Sequence, residues 1–241
     1  MSDCNKPKRW LFVRQQPWIP VEVATRFDGV VVTLRTSRGR TNRSRSWFEQ
    51  VREKGTSIAT VDLMLPPGQW RPSLSETIKF ASDVGAIAHC LDVEPTKATH
   101  TDWRGKHDEL EQYATRSRDL CDARGLELWA TGWAMPGQAR TFPWLELLRP
   151  AHRAIVQCYE VHGRSGVGYV TKCVDEYRDH GARGIIIGRG AHELDKGDSD
   201  AWRTPAQINA HRASTLPGYD EAWWCPAGPM PDPVADAIVG P

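Results

Sequence analysis

Residues 57–94 read SIATVDLMLPPGQWRPSLSETIKFASDVGAIAHCLDVE. An apolar run, SIATVDLML (57–65), ends at Pro-Pro-Gly. A stretch with helical spacing follows, SLSETIKFASDVG, and a second apolar run, IAHCLDVE (87–94), closes the segment. Strand, helix and strand in immediate succession predict a βαβ unit, whose two strands are parallel because the helix carries the chain back to its starting edge.

The same alternation extends in both directions. Further strands are expected at RWLFVRQ (9–15), GVVVTLR (29–35), LELWATGW (126–133), RAIVQCYE (153–160), RGIIIGRG (183–190) and EAWWCPAG (221–228). Helical stretches lie between them: SRSWFEQVREKG, HDELEQYATRSRDLCDARG, TFPWLELLRP, VGYVTKCVDEYRDHG and TPAQINAHRAS. Ser73 or Ser75 is placed to cap the helix of the opening segment. Gly55, Gly85, Gly125 and Gly181 follow helix ends, and Thr204 with Pro205 forms a cap and first-turn pair. Eight Val/Ile/Leu-rich strands alternating with helices predict a single-domain α/β chain, a (β/α)8 TIM barrel spanning residues 1–228. An open doubly wound sheet competes, but no GxGxxG follows the first strand. The Pro-rich tail, 229–241, is expected to lie along the surface or be disordered.

Composition bounds the partners. A formal charge of +1 on 241 residues argues against a general polyanion binder, so nucleic acid is not expected. The arginine-rich stretch RTSRGRTNRSRSW (35–47) reads as a solvated loop with the option of touching phosphates or an acidic partner. No apolar segment is long enough to span a bilayer, and MSDCNKPKRW offers no signal segment. The expectation is a protein made in a cytoplasm, then released or carried in a virion by other means. Six scattered cysteines without CxxC spacing read as reduced thiols. No cofactor or metal is expected, and the oligomeric state stays open. Eleven tryptophans against five tyrosines and five phenylalanines suit either sugar stacking or core filling.

In a parallel barrel the C-terminal strand ends form the active face. Asp92 and Glu94 end the fourth strand two residues apart, and therefore on one side. Gln157 and Tyr159 repeat that spacing on the sixth strand, with Thr131 and Trp133 on the fifth and Trp224 (or Trp223) on the eighth. Asp62 on the third strand is a candidate third acid, and Arg189 on the seventh a candidate for an anionic substrate group or for pairing with Asp92. An acid pair with a hydroxyl, an amide and indoles describes a sugar-cleaving site, where a protonated carboxyl serves the leaving oxygen and a like-charged neighbour keeps it protonated. His162, His192 and Glu193 read as solvated loop residues.

LDVEP (91–95) resembles the end of the DxxDxDxE signature of glycoside hydrolase family 18, the chitinase-like barrels. AIVQCYEVHG resembles that family's strand-six segment, and EAWWCPAG is similar to its strand-eight Trp region. The resemblance implies Glu94 as general acid/base, Asp92 orienting the substrate's acetamido group, which itself acts as nucleophile, and Tyr159 bonding the reacting carbonyl. It departs from the signature at the positions two and five before Asp92, which are Cys90 and Ile87. LDVE is also similar to strand four of the family 25 muramidases. That family has a further Asp ending strand one, where this chain has Arg14, Gln15 and Gln16. The resulting expectation is a glycosidase of β-linked N-acetylated amino-sugar polymers, peptidoglycan ahead of chitin, in the manner of a phage lysin. The alternative is a non-catalytic carbohydrate-binding or structural barrel, including a phage component. A barrel enzyme for a phosphorylated metabolite ranks last, GRGAHE (188–193) being the nearest approach to a phosphate loop.

Overall fold

The structure, a computed structural model, describes residues 6–13, 19–34, 45–63, 67–93, 102–132, 136, 139–159, 166–192, 202–225 and 229–240. Its elements alternate strictly: β1 (Arg9–Val13), α1 (Val21–Ala24), β2 (Gly29–Leu34), α2 (Arg45–Glu53), β3 (Ser57–Leu63), α3 (Arg71–Asp83), β4 (Ala88–Asp92) and α4 (His107–Asp122). The second half continues with β5 (Glu127–Gly132), α5 (Trp144–Leu148), β6 (Arg153–Gln157), α6 (Val167–Asp179), β7 (Gly184–Gly190), α7 (Pro205–Arg212), β8 (Asp220–Trp224) and α8 (Asp232–Val239). Every strand pairs in parallel with its sequence neighbours, and β1 pairs with β8, which closes the barrel.

Both faces of each strand are covered, by the helices outside and by the filled lumen inside. This is why a strand such as GVVVTL (β2) is buried at all six positions. Two apolar layers result. The lumen holds Trp10, Phe12, Val31, Ala59, Val61, Ala88, Cys90, Trp129, Ile155, Ile186, Ala222 and Trp224. The outer layer holds the alternate residues, among them Leu11, Val30, Ile58, Leu91, Leu128, Val156, Ile187 and Trp223, against the helices. This parity decides which side chains reach the mouth.

Indoles fill the lower lumen. Trp10 meets Trp129 edge-on at 4.9 Å between ring centroids. The alanines Ala59, Ala88 and Ala222 share this lumen layer with them. A Cβ on Gly29 would come within 2.2 Å of the Trp10 ring, so that position admits only glycine beside this indole. At the N-terminal end Arg153 donates to Asp220 at 2.7 Å and stands 3.4 Å from Glu127, which also accepts from Trp129 Nε1 at 2.7 Å. Of the nine tryptophans among the described residues, five (Trp10, Trp103, Trp129, Trp144 and Trp223) are fully buried and serve packing.

The helices follow their apolar spacing. On α4 the buried residues are Leu110, Tyr113, Ala114, Ser117 and Cys121, one stripe at helical period. Burying one such Leu contributes about 1.5–3 kcal/mol. Gly55, Gly85, Gly125 and Gly181 all adopt positive φ just after helices, as their positions predicted. Thr204 forms a full capping box with Gln207 at the start of α7.

One expectation is corrected and two helices are added. α3 begins at Arg71, with Pro72 in its first turn, so Ser73 and Ser75 lie inside the helix instead of capping it. The short α1, which follows Pro20, adds a helix the periodicity does not reveal. The Pro-rich tail contains α8, whose Val234, Ala235, Ala237 and Ile238 are buried. Pro231 and Pro233 fall at the cap and in the first turn, where a missing N–H costs nothing. Arg212 on α7 donates to Ala237 O at 2.9 Å, and Arg9 donates to Val239 O, tying α8 across the barrel's N-terminal end. Among the described residues no helix is long and apolar enough to cross a membrane.

Candidate functional site

The parity set by the two layers sends Asp92 into the lumen, since Ala88 and Cys90 on the same strand line it. Asp92 is the last residue of β4 and is 4% exposed. Its register partner on β5 is Thr131. The Thr131 hydroxyl donates to Ile155 O at 2.9 Å and accepts from Gln157 Nε2 at 3.2 Å. Asp92, Thr131 and Gln157 thus form a polar arc on three adjacent strands at the C-terminal end of the barrel.

The opposite arc is aromatic. Trp224 ends β8, and Phe12 of β1 stacks on it at 3.9 Å between centroids. Tyr159, just past β6, is half-buried, with its ring 6.3 Å from Trp224 and 6.2 Å from His192. Between these arcs β7 turns Gly188 and Gly190 inward. A Cβ on Gly188 would meet Val156 O at 2.9 Å, and none is needed for the strand to pair. The mouth therefore presents a buried carboxylate, a hydroxyl–amide pair and an aromatic wall to one space.

Burial and like charge act on the neighbours of Asp92. The Cys90 thiol, one lumen position below it, is pushed well above its ordinary value by burial, then by the charges of Asp92 and Asp62. Burial likewise raises Tyr113, with Asp62 the next contributor.

Two sequence candidates point away from this mouth. Asp62 has the parity opposite to Ala59 and Val61, so it lies between sheet and helices instead of facing the mouth as a third acid. There its Oδ2 is 3.4 Å from His89 Nε2, while His89 Nδ1 is 2.9 Å from Thr60 Oγ1. Arg189 is also on the outer face and is fully buried. Its guanidinium stands 3.4 Å from Glu221 and donates to Ser214 Oγ at 3.0 Å and Thr215 Oγ1 at 3.4 Å. This corrects its reading as a group for substrate anions: a strand position one residue off moves a side chain through the barrel wall. Trp223 is outward for the same reason, and Trp224 is the indole at the mouth. Glu94 and Trp133, with His162, Glu193 and most of the arginine-rich stretch, lie outside the described residues.

Three mouth residues escaped the sequence reading. Phe12 is legible only once the strand parity is known. His192, read as a solvated loop residue, is 4% exposed, and its Nδ1 is 3.4 Å from Trp224 O. Arg203 is 6% exposed and donates from Nε to His192 O at 2.9 Å and from Nη2 to Tyr159 O at 3.3 Å, joining the backbones that follow β6 and β7. No group of three or more His, Cys, Asp or Glu among the described residues could hold a metal ion.

No family model matches the sequence, and the search of curated proteins found no match. Solved structures do resemble the fold. A chitinase from Chromobacterium violaceum superposes with a TM-score of 0.61 at 12% identity, covering 95% of this chain and 97% of that one. The GH18 chitinase ChiB of Flavobacterium johnsoniae gives 0.66 at 10% identity over 98% of this chain and 93% of that one. The spore cortex-lytic enzyme SleL of Bacillus megaterium gives 0.67 at 9% identity, covering 99% of this chain and 74% of that one. At these identities the likeness is one of fold: this chain shares its (β/α)8 barrel with two chitinases and a spore cortex-lytic enzyme.

Proposed function

We propose that this protein is a glycoside hydrolase acting on β-linked N-acetylated amino-sugar polymers, with peptidoglycan preferred over chitin. The observation that carries the reading is the inward, buried Asp92 at the C-terminal end of β4, two residues before Glu94 and in one mouth with Gln157, Tyr159 and Trp224. In this mechanism Glu94 protonates the leaving glycosidic oxygen and later takes the proton back from water. Asp92 holds the substrate's acetamido group as it attacks the anomeric carbon, and its negative charge raises the proton affinity of Glu94. Tyr159 and Gln157 orient the sugar, and Trp224 with Phe12 supplies the apolar wall. The fold-level company of chitinases and a spore cortex-lytic enzyme supports the substrate class as analogy.

The test is release of new reducing ends from peptidoglycan and from a chitin oligomer across acidic to neutral pH. Release that vanishes in Glu94→Gln is the expected result. Full activity in that variant sinks the assignment.

One observation favours a second reading, a carbohydrate-binding barrel without turnover. Beneath Asp92 the lumen carries the Cys90 thiol, not a further acid, so no second carboxylate on β4 shares its charge inside the barrel. Sugar binding without hydrolysis at any pH would establish it.

A further inference from the structure

A groove of about 680 Å³ runs between α3 and α4 on the outside of the barrel. Its floor is apolar, formed by Trp70, Leu74 and Leu120. The Trp70 indole is 4% exposed, and its Nε1 is buried with no acceptor among the described residues, a donor that protein interiors rarely leave unmet. One wall is pre-organised: the Arg71 guanidinium lies 5.1 Å from the Trp70 ring centroid and donates to Gln112 Oε1 at 2.8 Å.

The rim is polar but electrically balanced. Arg71 and Arg116 line it together with Glu111, Asp119 and Thr115. Arg116, Glu111 and Asp119 form no ion pair with any described residue, so their donors and acceptors remain open to a ligand. Balanced charge disfavours a polyanion. An apolar floor under alternating donors and acceptors is the chemistry that takes up a neutral, polyhydroxylated chain. Position adds to this. In a parallel barrel the helix N-termini lie at the same end as the strand C-termini, so the groove begins beside the mouth, where Gly68 N donates to Glu109 at the entry of α4.

We propose that this groove is a second, non-catalytic glycan site that holds the polymer as it runs out of the mouth past β3 and β4. The proposal rests on the glycoside hydrolase reading for its ligand class, and the experiment separates the two.

Gln112→Ala/Arg116→Ala removes the rim bonds, and Ser75→Trp fills the groove; all three residues are exposed, and unfolding temperature checks the fold. Each is placed in the full chain with and without Glu94→Gln. Co-sedimentation with insoluble chitin and with peptidoglycan sacculi is measured, alongside turnover of soluble N-acetylglucosamine trimer. The groove variants are expected to lose about tenfold in polymer affinity, the scale of one or two lost hydrogen bonds, while trimer turnover stays unchanged. Polymer affinity equal to the parent overturns the site, as does loss of trimer turnover in parallel with it or failure of every form to sediment. If no form hydrolyses any substrate but the groove variants still lose polymer, the groove stands and the hydrolytic reading falls.

Discussion

His89 Nε2 stands 3.4 Å from Asp62 Oδ2 behind the sheet, and both side chains are almost wholly buried. Neither Asp62 oxygen has a hydrogen-bond partner among the described residues. The pair is held in register because Thr60, the strand partner of His89, binds its Nδ1 at 2.9 Å. Removing one member leaves the other's polar group stranded in an apolar layer. His89→Ala and Asp62→Ala should each cost about 3 kcal/mol, and the double variant clearly less than their sum. Denaturant unfolding of the four proteins measures this; strict additivity would show that the two side chains do not interact.

Under the proposed function Asp92 serves chemistry more than stability. Asp92→Asn should lower kcat/KM by about 10²-fold or more while the unfolding temperature changes little. It should also move the alkaline limb of the pH–rate profile to lower pH, since the charge proposed to raise the proton affinity of the acid Glu94 is gone. An unaltered profile in an active variant would remove Asp92 from the mechanism.

Arg189 and Glu221 make the opposite prediction. Their pair is buried on the outer face and braced by Ser214 and Thr215. Glu221→Ala should destabilise the fold by about 3–5 kcal/mol, because it leaves a buried guanidinium without its carboxylate. Activity per folded molecule should be unchanged. A selective rise in KM with normal stability would instead return Arg189 to the substrate.

Alkaline pH should weaken the fold through its buried thiols. Burial raises Cys121 from 9.0 to about 12. Between those values the unfolded chain gives up a proton that the folded chain keeps. Stability is therefore fully present below pH 9 and falls as pH rises toward 12. The slope of unfolding free energy against pH over that window should be shallower in Cys121→Ala. Thiol labelling of the native protein at pH 8 should likewise be slow at Cys121 and Cys90, whose thiolates burial disfavours.

Much of this architecture is written in local signals. Apolar runs such as GVVVTL and RGIIIGRG, separated by helical stripes and by glycines at helix ends, determine eight parallel strands and most of the helices, because period and punctuation act over a few residues. The pairing of Asp92 with Gln157 and Trp224 at one end follows from the same alternation, since every strand of such a barrel ends at the same face. What tertiary structure alone decided is the side of the wall. Asp62 and Arg189 resemble mouth residues in sequence, yet each is one residue off the lumen register and faces the helices, where His89 and Glu221 meet them. Phe12, His192 and Arg203 entered the mouth through contacts with residues far away in the chain. α8 likewise formed from a proline-rich tail because α7 and the barrel end gave its apolar face a surface to cover. A strand carries its alternation in its own sequence, but which alternate faces the lumen is set by how neighbouring strands stagger on closure, and that is a property of the whole ring.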